Sequence, residues 1–178
     1  MAETWVVRSE DRDSFSLGGI EARVLVAGDA TGGTFGIVES PIGPRVLAGP
    51  LHVHHKEDAF WYVMEGEFAA QVGDREIRES VGALIFAPRG VRHTYWNPAS
   101  TPSTYLEIFW PAGIERYLEQ LGRLVPEGGE DLLDRIGALS NEYGVEMDWS
   151  SAASLMEKHG LGFGNEAGGF QDPSSHPR

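Results

Sequence analysis

Short segments with a period of two, separated by Gly and Pro, fill the chain before Pro111 and constrain its fold most strongly. In one of them, Phe68, Ala70 and Val72 take alternate positions, and Gly73-Asp74 follows as the expected tip of a hairpin. Gly66, just before it, permits a sharp change of direction. Further strands are predicted over residues 4–8, 20–26, 34–40, 60–64 and 75–79, and a loop over residues 41–50. Short strands with such turns indicate an antiparallel sandwich or barrel.

After Trp110-Pro111 the apolar period changes from two to about three and a half, which predicts helices. A first helix begins near Ile114, and Gly122 is expected to end it. A second helix is predicted over residues 130–143, with Leu132, Leu133, Ile136 and Leu139 on one face, and a third from Ser150, as the N-cap, to His159.

The same patterns predict three parts of the chain. Residues 1–111 form the β domain, and residues 112–163 form a helical extension packed on it. Residues 164–178 are rich in Gly, Pro and Ser, which predicts a disordered tail that leaves His176 without a role.

Composition excludes several classes of function. The net charge is -13, with 27 acidic and 14 basic residues and no basic cluster, so nucleic acid is not an expected partner. The chain has no cysteine, which excludes disulfides and thiolate chemistry. No apolar run is long enough to span a membrane and the first residues do not resemble a signal peptide, so a cytoplasmic protein is expected.

Histidines concentrate between residues 51 and 97, where a metal site could form. Alternation along a strand places His52 and His54 on one face and His55 on the other. His93 follows the turn Pro88-Arg89-Gly90 and could return to face the pair. Three converging imidazoles suit transition metals and leave positions open for water or substrate, although they could also be ordinary polar residues of a barrel interior.

The spacing of these residues resembles the two motifs of the cupin superfamily. One motif is matched by Gly82, Pro88, Gly90, His93 and Asn97, and the other by His52, His54 and Gly66. Ala59 stands where the metal-binding glutamate of the family would be, and Val46 where its opening glycine would be. The C-terminal part, with residues 113–122 and 142–146, resembles single-domain cupins of the quercetin-dioxygenase-like group. This resemblance implies a mainly β fold, an antiparallel jelly-roll (double-stranded β-helix) cupin barrel with a helical C-terminal extension, often as a homodimer.

The resemblance also implies that His52, His54 and His93 bind a divalent metal ion, which could be Fe, Ni, Mn, Co, Cu or Zn. A β-bulge could turn Asp58 inward as a fourth ligand. Glu57 is expected to be solvated and His55 to lie at the surface or behind the ligands. The candidate substrate-pocket residues are Trp61, Val63, Phe86 and Tyr95. No catalytic residue can be assigned, and no organic cofactor is expected.

Three functions fit these features. The first is a dioxygenase-like oxidoreductase acting on a small anionic aromatic or enolizable substrate. The second is a non-redox, metal-assisted isomerase, cyclase or lyase. The third is a non-catalytic cupin that binds a small molecule, which Ala59 favours. A homodimer is expected because open sheet edges gain by being covered, and the first strand or the helical tail could cover them.

Overall fold

The alternating segments of the sequence form antiparallel strands up to Trp110, and the α-helices follow Pro111. The structure is a computed structural model that describes residues 6–8 and 14–163. The strands β1 to β13, in chain order, are Ser14–Ser16, Glu21–Val26, Gly36–Ile42, Val46–Leu47, Leu51–His54, Asp58–Glu65, Glu67–Val72, Arg75–Ser80, Leu84–Ala87, His93–Trp96, Ser103–Trp110, Val145–Asp148 and Gly162–Phe163. The helices α1 to α3 are Ile114–Glu127, Leu132–Tyr143 and Ser151–His159, and a short 3-10 helix spans Gly28–Thr31.

Two sheets face each other around a shared core. The first has the strand order β1-β2-β3-β11-β6-β9. The second centres on β10, which pairs with β7 along one side and with β5 and β4 along the other. Strands β8, β12 and β13 extend this sheet through β7, β5 and β4, and only the β13–β4 pair is parallel among the described strands. The sheets do not close into one continuous barrel, but the predicted mainly β jelly-roll class with a helical C-terminal part is confirmed.

Aromatic side chains join the two sheets in the core. Trp61 of β6 lies with its ring centroid 5.5 Å from that of Phe68 and 5.4 Å from that of Tyr95, both in the second sheet. Tyr105 of β11 meets Phe68 edge to face at 4.9 Å. Large buried aromatic rings stabilise a core by their area and by such tilted contacts. They also form the wall against which the histidines lie.

The predicted turns at Gly66 and at Gly73-Asp74 are confirmed, and both glycines have a positive φ. Gly66 joins β6 to β7 with a φ of 75°, and a Cβ there would lie 2.2 Å from the Ser103 Oγ. Val72 pairs with Arg75 across the two-residue tip Gly73-Asp74, and Gly73 has a φ of 58°. The close contact at Gly66 excludes a side chain, and the left-handed φ of Gly73 favours glycine.

Two predictions before Pro111 are wrong. Residues 6–8 form no strand, although residues 4 and 5 of that predicted segment lie outside the described residues. The expected loop over residues 41–50 contains the end of β3 and all of β4. Strand β4 forms because Val46 and Leu47 are buried and Leu47 pairs with Trp96 of β10. The predicted tail, residues 164–178 with His176, also lies outside the described residues.

The C-terminal part departs from expectation at Gly122, which does not end α1. The helix continues to Glu127, and Gly128 follows it with a φ of 61°. Gly122 instead lies against Phe15, whose Cδ2 would be 2.5 Å from an added Cβ. Strand β12, which alternation did not reveal, adds to the second sheet beside β5.

The second and third helices lie where the sequence predicts them. Leu133 is nevertheless 59% exposed rather than on the buried face of α2. Ser150 precedes α3 without capping it, because its Oγ donates to the Asp148 carboxylate. None of the helices in the described part of the chain has the length and apolarity needed to cross a membrane.

We expect Gly122→Ala to destabilise the fold and Gly137→Ala, its control in α2, to stabilise it. Alanine favours a helix over glycine by about 1 kcal/mol, and outside the local helix backbone no atom lies within 4 Å of a Cβ at position 137. At position 122 the methyl meets Phe15, and overpacking of about 1–3 kcal/mol outweighs the helical gain. Urea unfolding measures both effects. Equal stabilisation by the two changes would contradict the close contact.

Candidate metal centre

Three histidines meet because β5 pairs with β10. His52 lies directly opposite His93 in this antiparallel pair, and His54 follows His52 on the same face. The ring centroids are 4.6 Å apart for His52 and His93, 4.9 Å for His54 and His93, and 5.0 Å for His52 and His54. One ring nitrogen from each residue lies within 4.8 Å of the other two. The structure thus brings together the three residues that the sequence singled out.

Backbone carbonyls fix the tautomers of two of these rings. The Nδ1 of His52 lies 2.9 Å from the Pro50 carbonyl oxygen, and the Nδ1 of His93 lies 2.9 Å from that of Val91. A carbonyl oxygen only accepts, so each Nδ1 carries the proton and each Nε2 keeps its lone pair. The Nε2 of His93 and the Nδ1 of His54 are buried and have no hydrogen-bond partner in the part of the chain that the structure describes. Buried polar atoms without partners are costly, and a cation would satisfy them.

Burial also keeps these imidazoles neutral. It lowers the pKa of His93 to about 3 and the pKa of His54 well below 6.5, with the charges of neighbouring histidines adding to the effect. The pKa of His52 is lowered by burial as well. Neutral imidazole is the form that binds a metal. The donor set and its protonation therefore fit a divalent transition metal.

A largely apolar cavity of about 250 Å³ adjoins the three histidines. Trp61 and Tyr95, both predicted pocket residues, line it. Helices α1 and α2 contribute Leu118, Leu121, Val125, Leu132 and Ile136 to its walls. A small apolar molecule could therefore lie beside the candidate metal site.

Glu107 is a buried carboxylate in this cavity that the sequence analysis missed. Its Oε1 accepts hydrogen bonds from the Ser40 hydroxyl at 2.5 Å and the Tyr95 hydroxyl at 2.9 Å, and its Oε2 accepts one from the Trp61 indole at 3.1 Å. Burial raises the pKa of Glu107 despite these three donors. The signal that could have found it is alternation along β11, where Glu107 lies between the inward-facing Tyr105 and Phe109.

Two of the predicted pocket residues lie elsewhere. Val63 is fully buried in the core but does not line the cavity. Phe86 is 49% exposed and stacks on Phe60 at the outer face of the first sheet. The prediction for Phe86 is wrong because its neighbours Ile85 and Ala87 are the residues of β9 that face inward.

The acidic and basic residues near the motif also have defined partners. Asp58 binds Arg89: its Oδ1 accepts from the Arg89 backbone at 2.8 Å, and its Oδ2 lies 2.9 Å from the guanidinium. It does not join the histidine cluster, whereas Ala59, one residue later, is fully buried in the core. His55 is exposed on the opposite face, where its Nε2 lies 3.1 Å from Glu146.

Glu57 is buried rather than solvated, which corrects the prediction. It is 4% exposed, and its Oε2 has no hydrogen-bond partner among the described residues. Residues 55–57 form an irregular link between β5 and β6, so the alternation of β5 does not extend to Glu57. Its other oxygen approaches Gly113, just before α1. Burial raises its pKa to about 7.

Comparison with known proteins supports the fold. Residues 42–109 match the family model of the Cupin domain. Similar solved structures include KdgF from Halomonas sp., with 18% identity, a TM-score of 0.57, and coverage of 64% of this chain and 99% of that one. A predicted oxalate decarboxylase from Thermotoga maritima has 21% identity and a TM-score of 0.55, and the match covers 60% of this chain and 99% of that one. Pac13 from Streptomyces, a nucleoside dehydratase, has 16% identity and a TM-score of 0.53, with coverage of 64% and 88%.

No curated protein matches the sequence. At these identities the structural likeness establishes the cupin fold and not an activity. The activities named for these proteins include a decarboxylase and a dehydratase. The same fold therefore supports more than one chemistry.

We expect His93→Ala, and the pair His52→Ala with His54→Ala, to abolish binding of divalent metal. Asp58→Ala is the control and keeps its metal, because that carboxylate binds Arg89. Elemental analysis of protein purified without added metal or chelator measures the effect, and circular dichroism reports the fold. Metal retained by folded histidine variants, or lost from Asp58→Ala, would contradict this site.

Glu57→Gln is expected to flatten the pH dependence of stability. The pKa of Glu57 rises from 4.5 to about 7 on folding, so the unfolded chain releases this proton first as the pH increases. The stability that the group contributes is present below pH 4.5 and is lost as the pH rises through about 7. Urea unfolding across this interval should show a smaller decline for Glu57→Gln than for the parent protein. The same change at the exposed Glu79 is the control. Equal stability profiles for the two variants would show that burial does not raise the pKa of Glu57.

Proposed function

We propose that this chain is a metal-dependent enzyme with a cupin fold, and that it is a dioxygenase-like oxidoreductase. One observation carries the proposal: three neutral imidazoles converge beside a largely apolar cavity, and two of them, His54 and His93, have a buried ring nitrogen with no hydrogen-bond partner among the described residues. His52, His54 and His93 would hold one divalent ion, which supplies Lewis-acid and one-electron redox chemistry when bound. The quercetin-dioxygenase-like group and a cytoplasmic location stay predictions of the sequence.

The cavity and the charge of the site suggest the class of substrate. Three neutral ligands leave the charge of a divalent cation uncompensated in the first coordination sphere, which favours a substrate with an anionic oxygen. The aliphatic and aromatic walls favour an apolar body. A volume of about 250 Å³ is slightly below the usual range for ligand pockets, so the substrate is small. A small phenolate or enolate satisfies all three conditions.

Glu107 is the residue best suited to accept the proton of such a substrate. The position of the missing family carboxylate is Ala59, so the base must come from elsewhere in the cavity. A carboxylate can accept about four hydrogen bonds, and Glu107 receives three from Ser40, Trp61 and Tyr95. The substrate hydroxyl would donate to the remaining position and transfer its proton to the carboxylate. Dioxygen would then supply both oxygen atoms added to the product, with no external reductant.

A non-redox isomerase, cyclase or lyase is the second candidate. The hydrogen bond from Tyr95 to Glu107 favours it, because a hydroxyl donor and a carboxylate acceptor in one cavity can move protons without oxygen. A non-catalytic cupin that binds a small molecule is the third, favoured by Ala59 alone. The three candidates differ in their need for metal and for oxygen.

Elemental analysis followed by oxygen-uptake measurements tests the proposal. Protein loaded with each of Fe, Mn, Co, Ni, Cu and Zn would be incubated with a catechol and with a 1,3-diketone, in air and without oxygen. Oxygen uptake equal to substrate loss, with both atoms of labelled dioxygen in the product, is the expected result. Substrate loss that continues without oxygen would support the second candidate. Absence of metal binding would contradict both enzymatic candidates.

We expect Glu107→Gln to keep its metal but to lose at least about a hundredfold in kcat, which is the lower range for general-base catalysis. The absorbance change that marks deprotonation of a bound catechol should disappear in the same variant. Metal content separates this effect from damage to the histidine site. An unchanged kcat and an unchanged spectrum would exclude Glu107 as the base.

A further inference from the structure

The outer face of the first sheet carries a continuous apolar surface at one end. Pairing in register places Ile108, Phe60 and Phe86 in one row across β11, β6 and β9. A second row, parallel to it, contains Leu106, Tyr62 and Leu84. We call these six residues the outer patch. None of them carries a charge, although the chain has a net charge of -13.

The outer patch is exposed and has little intramolecular cover. Leu84 is 61% exposed and Phe86 is 49% exposed, and the Phe86 ring stacks on Phe60 with the centroids 4.8 Å apart. Trp110 and Met64, also exposed, extend the apolar surface beyond the two rows. Strand β9 ends its sheet, so its outer edge has no strand partner among the described residues. Contiguous apolar surface of this kind on a soluble domain marks an interaction site.

We propose that the outer patch is the interface through which a second copy of this chain binds, in a two-fold dimer. Two highly acidic copies repel each other, and they can approach most easily where the surface carries no charge. Under a two-fold axis the same two apolar rows face each other, so the interface is self-complementary and closed. The inference does not depend on the proposed function.

The area is sufficient for the centre of such an interface. Half-exposed side chains of this size contribute on the order of 100 Å² each, which gives the outer patch and its border about 500 Å². A standard interface buries about 800 Å² per partner and has an apolar centre with a polar rim. Asp58 and Arg89, which bind each other beside Trp110, could form part of that rim.

The first and last strands of the described chain, β1 and β13, do not lie beside the outer patch. Strand β1, where the continuous described chain starts, lies at the opposite end of the same sheet from β9, with β2, β3, β11 and β6 between them. Strand β13, where the described chain ends, belongs to the second sheet. The occupant that we propose is therefore a second copy, since neither β1 nor β13 lies beside the patch. The predicted contribution of the first strand or the helical tail to the dimer is not part of this proposal.

Sedimentation equilibrium of the full chain tests the interface. The parent protein should have twice the mass of 19.4 kDa, and Leu84→Lys and Phe86→Lys should each raise the dimer Kd by at least about thirtyfold, as expected for an interface hot spot. Lysine makes the chain less acidic, so dissociation would come from the lost apolar contact and the buried lysine charge and not from a larger net charge. Val6→Lys, at a residue that is 66% exposed but outside the patch, is the matched control and should remain dimeric. Circular dichroism and metal content should be unchanged in all three variants.

A parent protein of 19.4 kDa at all concentrations would overturn the proposal, as would patch variants that stay as dimeric as the parent. Dissociation by Val6→Lys alone would assign the contact to the N-terminal segment instead.

A labelling experiment avoids any effect of charge on folding. The chain has no cysteine, so Leu84→Cys and Val6→Cys each introduce a single thiol. Maleimide should modify the thiol at position 84 more slowly as the protein concentration rises, and the thiol at position 6 at a constant rate; equal behaviour would contradict the interface.

Discussion

The antiparallel pairing of β5 with β10 is the interaction on which the candidate metal centre depends. It sets His52 opposite His93, and a slip of one residue would turn one partner's side chain to the other face of the sheet. Several contacts hold this register. The Gly90 amide donates to the His54 carbonyl at 2.8 Å, and the Thr94 hydroxyl donates to the Gly49 carbonyl at 2.7 Å. Strand β7 pairs along the other side of β10, so the histidines lie in the middle of a sheet rather than on a mobile loop.

The predictable part of the molecule is the part that local pattern controls. Strand segments with a clear period of two, the turn at Gly66 and the face shared by His52 and His54 all follow from neighbouring residues. Segments without alternation gave no such information. Residues 83–87 are all apolar, so the sequence does not show that Phe86 faces outward. Glu57 was misassigned because alternation was carried through an irregular link, and Gly122 because its contact with Phe15 joins segments far apart in the chain.

The position of the buried carboxylate has an electrostatic consequence. A glutamate at position 59 would bind the cation directly, whereas Glu107 lies in the same cavity behind Trp61, whose ring centroid is 5.5 Å from that of His93. A metal ion would thus keep its full charge toward substrate oxygen, and its charge would in turn favour the ionised form of Glu107, whose pKa burial raises. The three donors to Glu107 hold its carboxyl group in one orientation. In such an arrangement the histidines would bind the metal ion, and a different group, Glu107, would balance part of its charge.

Strand β6 links the interior of the protein to its outer surface. Ala59 and Trp61 face the core and the cavity. The residues that alternate with them, Phe60 and Tyr62, face outward and belong to the outer patch. Because side chains alternate strictly along a strand, the two sets share a backbone but no side-chain contact. The outer residues can therefore vary without changing the side chains that line the cavity, provided that the strand keeps its register with β11. That register extends over nearly the whole length of β6, with one irregularity near Tyr105. The sheet can thus carry a catalytic surface and an interaction surface on opposite sides of one strand.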